Sequence, residues 1–156
     1  MVTYEAAKFV HITGIIMLMG NITATAIWKF FADRTGDPRI VAFAQRLITL
    51  TDWSLTLWGA ALTVIGGYGA AYIGGWDLFG ERWLVVSQLL FLLSGLMWLG
   101  ALIPLQIRMA REARAFAATG TIPDTYRKDS RRWLVWGSAA TLPLIAATWL
   151  MVAKAV

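Results

Sequence analysis

Two ionisable side chains sit in or beside long apolar stretches of this sequence, and their types determine the chemistry to consider. His11 is the single histidine, and a neutral imidazole can ligate haem iron or another metal. Asp52 immediately precedes an uncharged apolar run. The chain has no cysteine, which excludes thiolate metal sites, iron–sulfur clusters and disulfides.

A haem site built on His11 needs a second ligand and space for the macrocycle. Antiparallel helices would bring Gln88 and Met151 to the level of His11, and Met151 is a candidate axial ligand, as in His/Met cytochromes. A second copy of His11 across a dimer is the alternative. Gly14 would leave room for the ring. The competing interpretation is a histidine that hydrogen-bonds to a neighbouring helix or reaches the interface, with Met151 in ordinary packing.

A second group of polar residues recurs at helical spacing and is predicted to line the bundle interior: Asn21, Thr25, Asp52 and Thr56. Asn21 is expected to bond across to another helix. Asp52 is expected to pair with one of three cations at its depth, Lys29, Arg108 or Arg132. Close packing through small residues is the alternative explanation of the stripe.

These residues are positioned by four uncharged blocks, at 9–28, 53–76, 83–107 and 133–153. About 20 helical residues cross the roughly 30 Å hydrocarbon layer, so each block is long enough. The 58% hydrophobic composition and the mean hydropathy of +0.62 also indicate a membrane protein. The sequence predicts an all-α, four-helix up-down membrane bundle. It forms one domain over residues 1–156, with spans at about 7–30, 48–74, 83–107 and 133–153.

The cations are distributed unevenly between the two sides that this topology defines. Eleven of the 14 lysines and arginines fall in the first and third connections, and three fall on the other side. The positive-inside bias therefore predicts that loops 29–46 and 108–132 are cytoplasmic and both termini are outside. The expected location is a bacterial inner membrane. The same bias explains the net charge of +5 without nucleic acid as a partner.

Local signals place several helix ends beyond the apolar blocks. Asp37 followed by Pro38 predicts the start of helix 2, and Gly120 predicts the end of a helix 3 that projects from the membrane. Asp129 or Ser130 is a candidate cap for helix 4. Six tryptophans are assigned to the interfacial belts: Trp28, Trp53 and Trp133 on the inner side, and Trp76, Trp83 and Trp149 on the outer side.

Several short motifs resemble a bacterial integral membrane family, domain of unknown function 2269. They are Lys8-Phe-Val-His11-Ile-Thr-Gly14, Met19-Gly-Asn21, Leu105-Gln106-Ile-Arg108 and Trp149-Leu-Met151-Val-Ala-Lys154. The family is similar to the copper resistance D superfamily, which includes a haem-dependent membrane protoporphyrinogen oxidase. That resemblance implies a haem or metal role for His11. The basic second ligand of the oxidase has no counterpart, because the second and third spans lack lysine.

Three functions follow as hypotheses. The first is a haem-b-binding bundle with a redox role, which as an enzyme would be a membrane oxidoreductase. The second is a transporter or permease for a metal or small solute along the polar stripe. The third is a structural subunit without a cofactor. The expected partners are the lipid bilayer, a homo-oligomer and a cytoplasmic or membrane protein.

Overall fold

The computed structural model describes residues 3–154, so residues 1, 2, 155 and 156 of the predicted domain lie outside the described residues. The described chain is all-helical and contains no strand, which confirms the predicted fold class. Its four long helices are α1 (Tyr4–Thr35), α2 (Pro38–Ile73), α3 (Arg82–Thr119) and α4 (Asp124–Ala153). Each is long and apolar enough to cross a membrane.

The α1–α2 turn has the chemistry that the sequence predicted. Gly36 ends α1 in the left-handed conformation, at φ 65°, where a side chain would be strained. Asp37 caps α2, because its carboxylate accepts from the backbone N–H groups of Arg39 at 2.8 Å and Ile40 at 3.4 Å. Pro38 occupies the first turn, where its missing N–H costs nothing. Antiparallel α1 and α2 follow from this short connection.

The end of α3 also agrees with the prediction, but the start of α4 does not. Gly120 ends α3 at φ 76°. The predicted caps of α4 are wrong, since this helix begins at Asp124 and its N-cap residue, Pro123, makes no side-chain capping bond. Asp129 and Ser130 lie inside the helix and bond to other helices instead. The two polar side chains that the sequence assigned to a cap therefore bind neighbouring helices and do not cap their own.

Two π-helical turns interrupt the middle helices. Asp52–Thr56 widens α2, so that the N–H of Leu57 bonds to the carbonyl of Asp52. Trp98–Leu102 widens α3 just before Pro104, whose ring and missing N–H cannot follow a regular helical ladder. A π turn inserts one extra residue per turn and often marks a functional segment.

The bundle has two ends of different construction. The basic end contains the α1–α2 turn, the α3–α4 connection and most of the cations, and the far end contains residues 3 and 154 and the α2–α3 loop. The main apolar cluster belongs to the basic half and includes Val41, Ile48, Met109, Phe116, Tyr126 and Trp133. Trp133 is buried there, so its assignment to the interfacial belt is wrong.

In the far half, the helices associate in two pairs. The Leu57–Ile73 part of α2 packs along α1, and the Arg82–Met97 part of α3 packs along α4. Between Leu57–Ile73 of α2 and Arg82–Met97 of α3, the described chain shows no close backbone approach. One hydrogen bond joins them, from the Tyr68 hydroxyl to the Gln88 side-chain oxygen at 2.7 Å.

Candidate functional site

The most heavily hydrogen-bonded buried group among the apolar helices is the carboxylate of Asp52, which is 6% exposed. Its Oδ1 accepts from Asn21 Nδ2 at 2.8 Å and from the Thr56 hydroxyl at 3.1 Å. Its Oδ2 accepts from Gln106 Nε2 at 2.7 Å. Asn21 Nδ2 also donates to Thr56 Oγ1 at 2.9 Å. All four side chains are buried, and they come from α1, α2 and α3.

Helix geometry brings these four residues together. Asn21 belongs to the buried stripe of α1 that includes Gly14, Leu18 and Thr25, spaced three and four residues apart. Asp52 and Thr56 begin and end the π turn of α2. The Thr25 hydroxyl donates to the Asn21 carbonyl within its own helix at 2.8 Å, so Thr25 lies on the stripe without contacting the carboxylate.

The predicted ionic partners of Asp52 are wrong. The described chain, residues 3–154, contains no ion pair to Asp52, and the three side chains that donate to its carboxylate are neutral. Arg108 instead forms a two-pronged bond with Asp129, at 2.9 and 3.1 Å. Arg132 also pairs with Asp129, at 3.6 Å. Gln106, two residues before Arg108 on α3, reaches Asp52.

Lys29, the third expected partner, is the centre of a separate buried cluster and is 1% exposed. Its ammonium lies 3.2 Å from Asp33 Oδ2 and donates to the Tyr126 hydroxyl at 3.0 Å. The Tyr126 hydroxyl donates in turn to the Gln45 side-chain oxygen at 3.2 Å. The Ser130 hydroxyl donates to Asp33. This Lys29 cluster joins α1, α2 and α4 at the basic end.

His11 lies at the contact between α1 and α2 and is half-buried. Its Nδ1 is 2.7 Å from the Thr63 carbonyl oxygen, an acceptor, so in the neutral ring Nδ1 carries the proton and Nε2 keeps its lone pair. Gly67 makes room for the ring, because a Cβ there would stand 2.8 Å from Nδ1. A metal-ligating histidine characteristically donates its other N–H to such a carbonyl.

The other residues of the predicted haem site have separate contacts. A Cβ on Gly14 would lie 2.4 Å from the Thr63 backbone nitrogen, so α2 fills the space that the sequence assigned to a macrocycle. Gln88 accepts from Tyr68 and donates to the carbonyls of Leu78 and Leu84. Met151 lies on α4, and within residues 3–154 no hydrogen bond joins it to His11.

Three of the buried polar residues were missed by sequence reasoning: Lys29, Gln106 and Tyr126. Lys29 and Gln106 fall on the buried faces of their helices, at helical spacing from Thr25 and Leu102. That spacing was a usable signal, although a lysine beside a loop more often points to solvent. Tyr126 gave no signal, because it was assigned to a connecting segment rather than to a helix.

Four apolar helices that carry buried polar networks define a polytopic integral membrane protein, in contact with the lipid bilayer. The chain belongs to the family described as predicted integral membrane protein (DUF2269), whose family model matches residues 5–155. No curated protein and no solved structure matches the chain. The described residues contain no group of three or more histidine, cysteine or acidic side chains placed to hold a metal ion.

Proposed function

We propose that the protein is a small-solute transporter in which Asp52 binds and releases a proton or a monovalent cation. One observation carries this proposal: among residues 3–154, only neutral groups hydrogen-bond to a carboxylate that is buried among membrane-spanning helices. An isolated charge in a low-dielectric interior is costly, so the ionised form of Asp52 requires a compensating cation. Binding a proton or a small cation at this position removes that cost.

The neighbouring side chains suit both states of the carboxyl group. Gln106 donates to the ionised carboxylate through its NH2 group, and after rotation of the amide its oxygen can accept from a protonated carboxyl. The amide oxygens of Asn21 and Gln106 are also ligands of the type that a monovalent cation takes. The site therefore offers donors to the ionised carboxylate and acceptors to a bound proton or cation.

The proposal is tested by ion flux in proteoliposomes that carry an imposed membrane potential and contain either a pH-sensitive dye, for protons, or a sodium-sensitive dye. We expect the wild-type protein to raise proton or sodium flux above that of protein-free vesicles, and Asp52→Asn to abolish the increase. Asn21→Ala should reduce it. Glu112→Gln is the matched control, since it also removes one carboxylate but from a residue bonded only to Thr125 near the surface.

Infrared difference spectroscopy provides an independent readout that does not depend on transport. The wild-type protein should show the C=O band of a protonated carboxyl group that Asp52→Asn removes and Glu112→Gln keeps. Equal proton and sodium flux in the wild-type protein and in Asp52→Asn would overturn the proposal, provided that both elute as single detergent-solubilised species.

We further propose that the basic end faces the cytoplasm of a bacterial inner membrane and that both termini are outside. The support is the excess of cations at the basic end. Because the chain has no cysteine, the single variants Phe79→Cys and Ala118→Cys would each carry one thiol, at the far end and at the basic end, respectively. An impermeant thiol reagent applied to intact cells should label the variant at Phe79 and spare the variant at Ala118. The reverse pattern would invert the topology.

A second candidate function that we propose is haem or metal binding by His11, as the resemblance to the copper resistance D superfamily implies. Its support is the bond between Nδ1 and the Thr63 carbonyl, which leaves Nε2 available as a ligand. Met151 or the His11 of a second copy would supply the other ligand. Haem would supply one-electron chemistry, and His11 would orient it through the Thr63 bond.

A visible spectrum separates this candidate from the transporter. Protein purified from haem-supplemented cells should show a Soret band that His11→Ala removes and Asp52→Asn leaves unchanged. Loss of the low-spin spectrum in Met151→Leu would identify Met151 as the other ligand. If Met151→Leu keeps the low-spin spectrum and the protein is a dimer, the second copy of His11 is the other ligand. A colourless preparation excludes haem binding, and absence of both flux and colour would leave the structural-subunit hypothesis.

A further inference from the structure

A cavity of about 370 Å³ opens at the basic end between α1 and α4, away from Asp52 and His11. Three arginines line it: Arg34 from the last turn of α1, and Arg127 and Arg131 from the beginning of α4. Arg127 and Arg131 are four residues apart, so they share one helix face. All three side chains are exposed rather than committed to the interior.

The charge of these arginines is not cancelled by the rest of the cavity wall. Among the residues that the structure describes, Asp33 is the one carboxylate that lines it, and Asp33 is already paired with Lys29 and accepts from Ser130. Within the part of the chain that the structure describes, Arg34, Arg127 and Arg131 have no ion pair. The cavity therefore presents three positive charges to an anion.

Apolar side chains form a second part of the wall. Phe30, Ile122 and Leu134 line the cavity together with the arginines. Phe30 lies in the last part of α1, and the Arg34 guanidinium stacks 5.3 Å from its ring. A ligand that fits both parts of the wall has an anionic head and a hydrocarbon tail.

We propose that this cavity binds the phosphate of an anionic phospholipid, with an acyl chain lying against Phe30 and Leu134. Arginine recognises phosphate through two parallel N–H···O bonds. Basic pockets between membrane helices at this level are suited to anionic head groups. The site is independent of ion binding at Asp52.

The test is native mass spectrometry of the full chain in detergent, titrated with phosphatidylglycerol and, separately, with phosphatidylcholine. The wild-type protein should retain one phosphatidylglycerol in preference to phosphatidylcholine. The variant R34Q/R127Q/R131Q should bind it about tenfold more weakly, as expected when charge-assisted bonds to phosphate are lost. The control variant R39Q/R111Q/R114Q removes the same charge from exposed arginines outside the cavity and should keep the wild-type affinity.

Two further arms distinguish a lipid from a free anion. Phe30→Ser should weaken phosphatidylglycerol but leave the binding of inorganic phosphate unchanged. The single variant Arg127→Gln changes one exposed position and should weaken lipid binding by about threefold. It tests the site even if the triple variant does not fold. Equal losses in the two triple variants, or full displacement of the lipid by millimolar inorganic phosphate, would overturn the proposal.

Discussion

The two halves of this bundle are held together by different means. At the basic end, apolar side chains of α2, α3 and α4 form a compact cluster. Buried polar groups of α1, α2 and α4 bond to one another there around Lys29. In the far half, α1 and α2 touch through their backbones at glycine, and α3 and α4 form a separate pair.

This difference follows from the solvent of each half. Lipid tails are as apolar as leucine, so burying leucine between membrane helices gains little, and close backbone contact at small residues becomes the main attraction. Near the basic end, long side chains can bury their stems and pair their charges. The far half is consequently sensitive to added volume, and the basic end is sensitive to a lost hydrogen bond.

The largest effect is expected from Gly66→Ala in the far half. The added Cβ would lie 2.3 Å from the backbone nitrogen of His11 and 2.7 Å from its Cα, so α1 and α2 would have to separate. We expect a loss of about 3 kcal/mol in the free energy of unfolding. Denaturation in mixed detergent micelles measures it. Gly95→Ala is the control, since nothing lies within 4 Å of its Cβ, and an equal loss there would contradict the backbone-contact explanation.

An intermediate effect is expected at the basic end from Tyr126→Phe. The change removes the hydroxyl that accepts from Lys29 and donates to Gln45, leaving both groups short of a partner in a buried site. The same denaturation assay should show a loss of about 2 kcal/mol. Tyr72→Phe serves as the control, because Tyr72 is 86% exposed and should tolerate the change. Equal stability of the two variants would mean that the Lys29 cluster does not hold the basic end.

A smaller effect is expected from Ser94→Ala, which removes the hydrogen bond that links the far-half pair α3 and α4. The Ser94 hydroxyl donates to the Ala140 carbonyl at 2.8 Å. Hydrogen bonds between membrane helices contribute about 0.6 kcal/mol on average, and we expect a loss of that size. Ser54→Ala provides the comparison, since Ser54 bonds to carbonyls of its own helix. If Ser94→Ala lost more stability than Tyr126→Phe, a lost hydrogen bond would cost more in the far half than at the basic end, contrary to our expectation.

The smallest effect concerns the α2–α3 loop at the far end. Backbone N–H groups of Phe79 and Gly80 donate to the Asp77 carboxylate and lower its pKa below the ordinary value. A lowered folded-state pKa stabilises the loop above the ordinary pKa, and this contribution disappears as the pH falls through the folded value. Between about pH 6 and about pH 3, the wild-type protein should therefore lose slightly more stability than Asp77→Asn. An identical pH dependence would show that the loop contributes nothing.

The local features of the fold were predictable because they depend on nearby residues. The turn at Gly36, Asp37 and Pro38 and the stop at Gly120 follow from backbone chemistry that needs no tertiary context. Asn21 was expected to bond across to helix 2 or helix 4, and the structure confirms a bond between helices, to Asp52 and Thr56 of α2. The cap of α4, the belt position of Trp133 and the ionic partners of Asp52 were wrong, since each depends on what another helix presents there.

The sequence alone determined that four helices cross the bilayer, because the length of an uncharged apolar segment is a property of the chain itself and the bilayer demands a fixed length. Only the tertiary structure decided which polar groups meet. Gln106 rather than Arg108 reaches Asp52, and Lys29 turns inward to Tyr126, because helix rotation and the π turn of α2 select among side chains at one depth. When ionic partners are chosen from the sequence by their depth in the membrane, side chains that point in different directions around a helix cannot be told apart.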